Sequence, residues 1–303
     1  MASSSSPSPD AAVAVLDHVA VAVERWTDAW PRYVHQLGGT WHSGGINIGF
    51  SPAQLGYANG AKVEILQPWE PEVNPFLRRF LDHSGPGPHH LTFKVPDINA
   101  ALERVRGAGF EPVGVRLEDP VWREAFLHPR QAFGVVVQLA EAEFEWISPM
   151  PPEFPSGPIP PAASLRHVTH VVRDLDAALA LFQVLLGGAS TPRTVGPDGT
   201  WESVDVRWDG PLGLRLVAPT THALAASSLS RWLGDRTGRV HHLAFDLPEP
   251  ALASEPPAAS EPTDTDRGPV DTPGVLVGSE VVQVVAAADN LGTGLVLRDP
   301  ARR

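Results

Sequence analysis

The sequence predicts an α+β chain. It reads as four tandem strand–helix–three-strand (βαβββ) units, paired into two domains with open, curved sheets, the fourth unit degenerate. Three observations predict it. Pro88-His89-His90-Leu91-Thr92-Phe93 returns as Val240-His241-His242-Leu243-Ala244-Phe245. Leu16-Asp17-His18-Val19 returns as Leu165-Arg166-His167-Val168, and Leu37-Gly38-Gly39 as Leu186-Gly187-Gly188. The spacings agree: His18 to Glu64 is 46 residues (64 − 18), His90 to Gln138 is 48 (138 − 90) and His167 to Arg215 is 48 (215 − 167).

Val13 to Val23 reads as a strand with Leu16, His18, Ala20 and Ala22 on one face and Val19, Val21 and Val23 on the other. A helix follows, with Asp28 as N-cap, Pro31 in the first turn and a glycine stop at Gly38-Gly39. Strands are predicted at Gly45 to Phe50, Gln54 to Tyr57 and Ala61 to Leu66, the last placing Glu64 opposite Val63 and Ile65. Asn74 to Asp82 is a connecting helix. In the second unit His90, Thr92 and Lys94 share a face and Asp97 caps a helix. Strands follow near Pro112 to Leu117, Trp122 to Leu127 and Gly134 to Leu139. The third unit repeats the first, with Asp174 as cap and Leu214-Arg215-Leu216 in place of Val63-Glu64-Ile65. In the fourth, strands resume around Val275 to Val285 and Leu291 to Leu297.

The predicted layout is a disordered Ser/Pro-rich tail (1–12), an N-terminal domain (13–145) and a Pro-rich linker (146–164). A C-terminal domain (165–300) follows, with a mobile loop over 248–274 where a crossover helix should be.

The chain has 303 residues, 43% hydrophobic and 19% charged, which suits a globular protein with a real core. It has no cysteine, so any metal must be held by His, carboxylate or amide groups. A net charge of -12 argues against nucleic-acid or anionic-membrane binding. With no run near the ~20 apolar residues of a membrane span and no secretory leader, the expectation is a cytoplasmic monomer or homodimer acting on a small molecule.

Each N-terminal unit puts a histidine on its first strand and an amide or carboxylate on its last. If the two sheets join, His18, Glu64, His90 and Gln138 can converge into a ligand set for a divalent first-row metal. Glu64 is also the one carboxylate placed in the cavity, hence the catalytic candidate. Phe50 and Trp122 are candidates for lining it. His89 and His241 fall on the apolar face and are read as packing. In the C-terminal half Arg215 stands where a carboxylate is needed. A cation there opposes metal binding, so this half is either structural or uses Arg215 to hold an anionic group of a ligand.

Leu16-Asp17-His18-Val19-Ala20, Val63-Glu64-Ile65-Leu66-Gln67-Pro68, Phe80 to Asp97 with its histidine pair, and Phe126-Leu127-His128-Pro129 before Gly134 resemble the vicinal oxygen chelate superfamily. That superfamily includes glyoxalase I, extradiol dioxygenases, bleomycin and fosfomycin resistance proteins and methylmalonyl-CoA epimerase. The match is best to the epimerase and its glyoxalase-like relatives. It covers about residues 14–142 and is eroded over 165–300. The resemblance implies the fold above and a divalent ion (Zn, Ni, Co, Mn or Fe) on His18, Glu64, His90 and Gln138. Two positions depart from the family pattern. Gln138 replaces a usual glutamate, and Ser43-Gly44 stands where epimerases carry a glutamate.

The first functional expectation is therefore a metal-dependent isomerase, epimerase or lyase. It would act on a small carbonyl or carboxylate compound, or a thioester, through a stabilised enolate. The second is a non-catalytic small-molecule binding or resistance protein. The third is an Fe(II) dioxygenase of the extradiol type using His18, His90 and Glu64.

Overall fold

The computed structural model describes residues 14–223, 227–249 and 280–302. The tail expected over 1–12 lies outside them, as does the loop expected over 248–274 apart from Pro248 and Glu249.

Residues 15–142 form one sheet of eight strands: β1 (Val15–Ala22), β2 (Thr40–Gly44), β3 (Phe50–Gly56), β4 (Lys62–Pro68), β5 (Gly87–Lys94), β6 (Val113–Arg116), β7 (Trp122–Leu127) and β8 (Val136–Ala142). Their order is β2-β3-β4-β1-β5-β8-β7-β6. β1 runs parallel to β4, β5 runs parallel to β8, and β1 and β5 pair antiparallel at the centre. The first strands of two repeats thus lie side by side, which brings their histidines within reach of each other. The strand expected over Gly45 to Phe50 is displaced. Gly45 and Gly49 take φ of 159° and 91°, and the pairing runs instead from Thr40–Gly44 to Phe50–Gly56.

A second sheet repeats the plan with β9 (Ser164–Val172), β10 (Ala189–Ser190), β11 (Thr194–Val195), β12 (Trp201–Arg207), β13 (Gly213–Pro219), β14 (Gly238–Asp246), β15 (Val281–Val285) and β16 (Gly294–Arg298). Its order is β10-β12-β13-β9-β14-β16-β15, with β11 on β12.

Helix α1 (Trp26–Trp30) continues as a wider π-helical stretch (Pro31–Gln36), where Leu37 N donates to Arg32 O five residues back at 3.1 Å. The repeat does the same: α4 comes later in the chain, after α2 (Phe76–Ser84) and α3 (Ile98–Gly107), spans Leu175–Leu179 and runs into Ala180–Leu185. Helix α5 spans Ser228–Leu233. Asp97 and Asp174 cap their helices as expected, accepting from Ala100 N and Ala177 N. Asp28 does not. It lies inside α1, whose N-cap is Arg25, and pairs with that arginine at 2.9 Å. Among the described residues no helix is long and apolar enough to cross a membrane.

The valine row of β1 packs on α1 and α3 in one core that also takes in the second sheet. Phe93 meets Phe182 and Trp208 at centroid distances of 6.0 and 5.0 Å, and Tyr57 meets Phe245 at 5.0 Å. The Pro-rich stretch after β8 is not loose against this body. Trp41 and Trp30 donate their indole N–H groups to Ser148 O and Glu153 O at 3.0 Å, and Phe154 packs between the two indoles.

Candidate metal centre

Two β-bulges shape the centre. Along the β1–β5 pair, Leu16 faces Phe93 and His18 faces Thr92, leaving Asp17 as an extra residue. Ala20 faces His90 and Val21 faces Pro88, leaving His89 extra. Each bulge breaks the period-two alternation locally. Leu16 consequently joins the valine core instead of sharing the His18 face, and Asp17 stays beside His18. His89 does not face the α1–α3 core either. Its ring packs on Phe80 and Phe76 of α2 at 4.8 and 5.9 Å, on the same side as His90. His241 repeats this against Trp232 of α5 at 4.9 Å.

On the face opposite the core, His18, Glu64 and His90 converge. Glu64 Oε2 lies 3.5 Å from His18 Nε2 and 3.4 Å from His90 Nε2. All three are nearly fully buried. Among the described residues they are the one group of three or more histidine and carboxylate side chains close enough to hold an ion together. His90 Nε2 is buried yet makes no well-formed hydrogen bond. Gln138 reaches the same place through Thr92. The Thr92 hydroxyl donates to Gln138 Oε1 at 2.6 Å and stands 2.9 Å from His18 Nε2.

A second layer holds these groups in position. His18 Nδ1 donates to Asp17 at 2.7 Å, and His90 Nδ1 pairs with His89 Nδ1 at 2.9 Å. Glu64 Oε1 accepts from Gln54 Nε2 at 3.2 Å, and Gln138 Nε2 donates to Glu124 at 2.7 Å. Trp122 Nε1 donates to the same Glu124 oxygen at 2.9 Å. Asp17, His89, Gln54 and Glu124 were not among the sequence candidates. The Gln54–Glu64 and Phe126–Gln138 cross-strand registers place Gln54 and Glu124, but those registers follow from strand positions that composition gives only loosely.

Burial disfavours charge on His18, but the Glu64 and Asp17 carboxylates outweigh it and raise its pKa to about 9. Burial likewise opposes ionisation of Glu64, and the two imidazoles overcome it, holding the carboxyl well below the usual range. His89 goes the other way: burial and neighbouring His90 lower its pKa to about 3. A neutral His89 can accept a proton from His90 Nδ1, and in that tautomer His90 Nε2 is the nitrogen that could ligate an ion beside Glu64 and His18. Two imidazole nitrogens and one carboxylate, each oriented by an outer partner, are donors of the kind that could hold a divalent ion, while the Gln138 amide oxygen is taken up by Thr92.

The C-terminal half keeps the histidines without the site. The His167 and His242 rings stand 6.3 Å apart, and the Thr169 hydroxyl lies 3.0 Å from His242 Nε2. Arg215 is clasped by Asp205 at 2.7 and 3.1 Å. Burial and then Arg215 keep His167 well below its ordinary pKa. Of the lining candidates, Trp122 borders a small cleft, partly open to solvent, with Asp17, Gln54 and Lys62. Phe50 packs on Phe76 at 5.5 Å, beneath α2.

A family model described as the glyoxalase/bleomycin resistance protein/dioxygenase superfamily matches residues 17–126. Among solved structures, methylmalonyl-CoA epimerase from Mycobacterium tuberculosis is 30% identical over 45% of this chain and 93% of its own, with a TM-score of 0.40. A hypothetical protein from Bacillus halodurans C-125 is 27% identical over 45% of this chain and 99% of its own, also at 0.40. A 4-hydroxymandelate synthase mutant from Streptomyces coelicolor is 17% identical, a likeness of fold alone. It covers 78% of this chain and 71% of its own at a TM-score of 0.58. No curated protein sequence matches the chain. With a family model over its first sheet and a 30% identical relative whose length it nearly spans, the chain belongs to the glyoxalase/bleomycin resistance protein/dioxygenase superfamily, also called the vicinal oxygen chelate superfamily.

Proposed function

We propose that this chain is a metal-dependent enzyme of the glyoxalase-like type. It would catalyse proton transfer on a small carbonyl or carboxylate substrate, with its site in the N-terminal domain (13–145). The observation that carries this reading is the buried His18–Glu64–His90 cluster, whose His90 Nε2 has no hydrogen-bond partner while its other nitrogen is held by His89. A divalent ion held there would supply Lewis-acid stabilisation of charge developing on a substrate oxygen.

The chain's own residues divide the remaining work. Asp17 and His89 fix the orientation and tautomer of His18 and His90. Gln54 holds one Glu64 oxygen, so Glu64 presents the other to the histidines. With both oxygens engaged, Glu64 suits a ligand better than the catalytic role expected of it. Glu124 is the carboxylate better placed to take and return a proton. Trp122 and Gln138 hold one of its oxygens, and the other faces the exposed Arg116 at 3.5 Å, away from the histidines. Arg215, satisfied by Asp205, gives the C-terminal half a structural part in this reading.

The test is solvent-deuterium exchange into candidate carbonyl acids by the metal-loaded chain. Exchange that disappears in Glu124→Gln supports the reading. Oxygen consumption in place of exchange would move the chain to an iron dioxygenase using two histidines and one carboxylate. Binding with neither would move it to a sequestering protein, a reading favoured by Gln138, whose amide cannot act as a base.

A further inference from the structure

Beside the histidine cluster lies a second group of charges that the chemistry above does not use. Lys62 sits on β4 two residues before Glu64, and Lys94 sits on β5 two residues after Thr92. By strand periodicity both occupy the Glu64–His90 face, roughly 7 Å along it from Glu64 and from Thr92. Lys62 is 6% exposed. Asp17 Oδ1 lies 3.1 Å from Lys62 Nζ and 3.3 Å from Lys94 Nζ, so two ammonium groups share one carboxylate oxygen. The other Asp17 oxygen is committed to His18.

The balancing charge comes from outside the sheet. Glu145, in the stretch after β8, reaches back to Lys62 Nζ at 3.2 Å and to His42 Nε2 at 3.1 Å. Its side chain is 54% exposed, whereas that of Lys62 is 8% exposed. Glu145 can turn into water at little cost. Lys62, buried on β4 against Asp17, stays with the sheet. Asp17, His42, Lys62, Lys94, Glu145, Gln54 and the indoles of Trp122 and Trp146 line the same cleft, and Gln54 and Asp17 bridge it to the cluster by hydrogen bonds to Glu64 and His18.

On the reading of His18, Glu64 and His90 as the reacting end of the site, we propose that Lys62, Lys94 and His42 form a carboxylate subsite that selects substrates with a second anionic group. In the ligand-free chain Glu145 occupies that subsite. The present occupant is itself a carboxylate, which argues for a carboxylate ligand. The substrate is then a short compound with its reactive carbonyl at the histidines and a carboxylate at the lysines. Binding expels Glu145 into solvent.

The test is calorimetric titration of the full chain with succinate, with butanoate as the mono-anionic control, both after chelation and with zinc added. Glu145→Gln should tighten succinate binding by roughly fivefold, and Lys94→Gln and Lys62→Gln should each weaken it by about tenfold, the scale of one charge-assisted hydrogen bond. Butanoate, with one carboxylate for the two ends of the site, should bind wild type more weakly than succinate does in the presence of zinc. Lys94→Gln is the informative variant should Lys62→Gln fail to fold, because Lys94 is only half-buried. Unchanged or weaker binding in Glu145→Gln, unchanged binding in Lys94→Gln, or no succinate binding by wild type and Glu145→Gln alike would overturn the subsite. Zinc uptake, measured in the same samples, reports on the histidine cluster separately. A chain that takes up no zinc but keeps the Lys94 and Glu145 dependence retains the subsite and loses the metal reading.

Discussion

His89 shows how one side chain can set the chemistry of another. Burial against Phe76 and Phe80 keeps it neutral, and neutrality makes it an acceptor for the His90 Nδ1 proton. With that proton on Nδ1, away from the cluster, His90 Nε2 is the nitrogen able to ligate. Outer partners of this kind typically contribute tenfold or more to metal affinity. His89→Phe keeps the packing with α2 but removes the acceptor. It should weaken zinc binding by about 10- to 100-fold in a competition titration while leaving the unfolding midpoint little changed. An equal loss of stability and affinity would make His89 a packing residue only. Packing is what residue spacing alone predicts for it: alternation assigns His89 to the core face, and nothing in composition announces the bulge that turns it round. Asp17 was hidden in the same way. The four candidate positions at repeat spacing were legible. The residues that orient them were not, because cross-strand registers and bulges decide who meets whom.

At the level of elements, the repeat carried most of the information. Trp122–Leu127 and the caps at Asp97 and Asp174 follow directly from pattern, since a strand's alternation and a cap's hydrogen bond are local. Asp28 misled for the same reason. It has the right residue type one turn too late, and an ion pair with Arg25 stands in for a cap. The strand predicted at Gly45 to Phe50 failed because glycines at positive φ interrupt the ladder there, and Thr40–Gly44 takes the edge. The two caps make a paired prediction for urea denaturation. Asp97→Ala should cost about 1 kcal/mol by exposing the first-turn amides. Asp28→Ala should stay within about 0.5 kcal/mol, as expected of an exposed pair. Equal losses would contradict the helix start assigned here.

Over the whole molecule, the two sheets share one core and clasp each other through reciprocal contacts. The loop before β8 presses Gly134 on Gly238 at the start of β14, and the loop before β16 presses Gly292 on Gly87 at the start of β5. His170 of β9 spans the same junction, its Nε2 donating to Phe133 O at 2.9 Å. Sequence repetition predicts that the halves look alike. It is silent on how they pack, because Phe93, Phe182 and Trp208 lie far apart in the chain. Burial lowers the His170 pKa to about 4, against the ordinary value of 6.5. Between those values the unfolded chain binds a proton that the folded chain refuses. The His170 contribution is thus fully present above about pH 6.5 and is lost as pH falls toward about 4, by up to about 3 kcal/mol. Denaturation across that interval should show wild type losing stability more steeply than His170→Gln. Parallel curves would mean that His170 is protonated at the junction.

The cluster that joins both repeats of the first sheet can be tested without knowing the substrate. The measurement is metal content after loading with zinc or nickel and removal of the excess, in wild type and in His18→Ala/His90→Ala, with circular dichroism to confirm that both are folded. The geometry predicts about one equivalent in wild type and none in the double variant, since the carboxylate and amide that remain are too few to hold a divalent ion. A folded wild-type chain that cannot be loaded, or a double variant that retains as much metal as wild type, would contradict the assignment of His18, Glu64 and His90 as a metal centre.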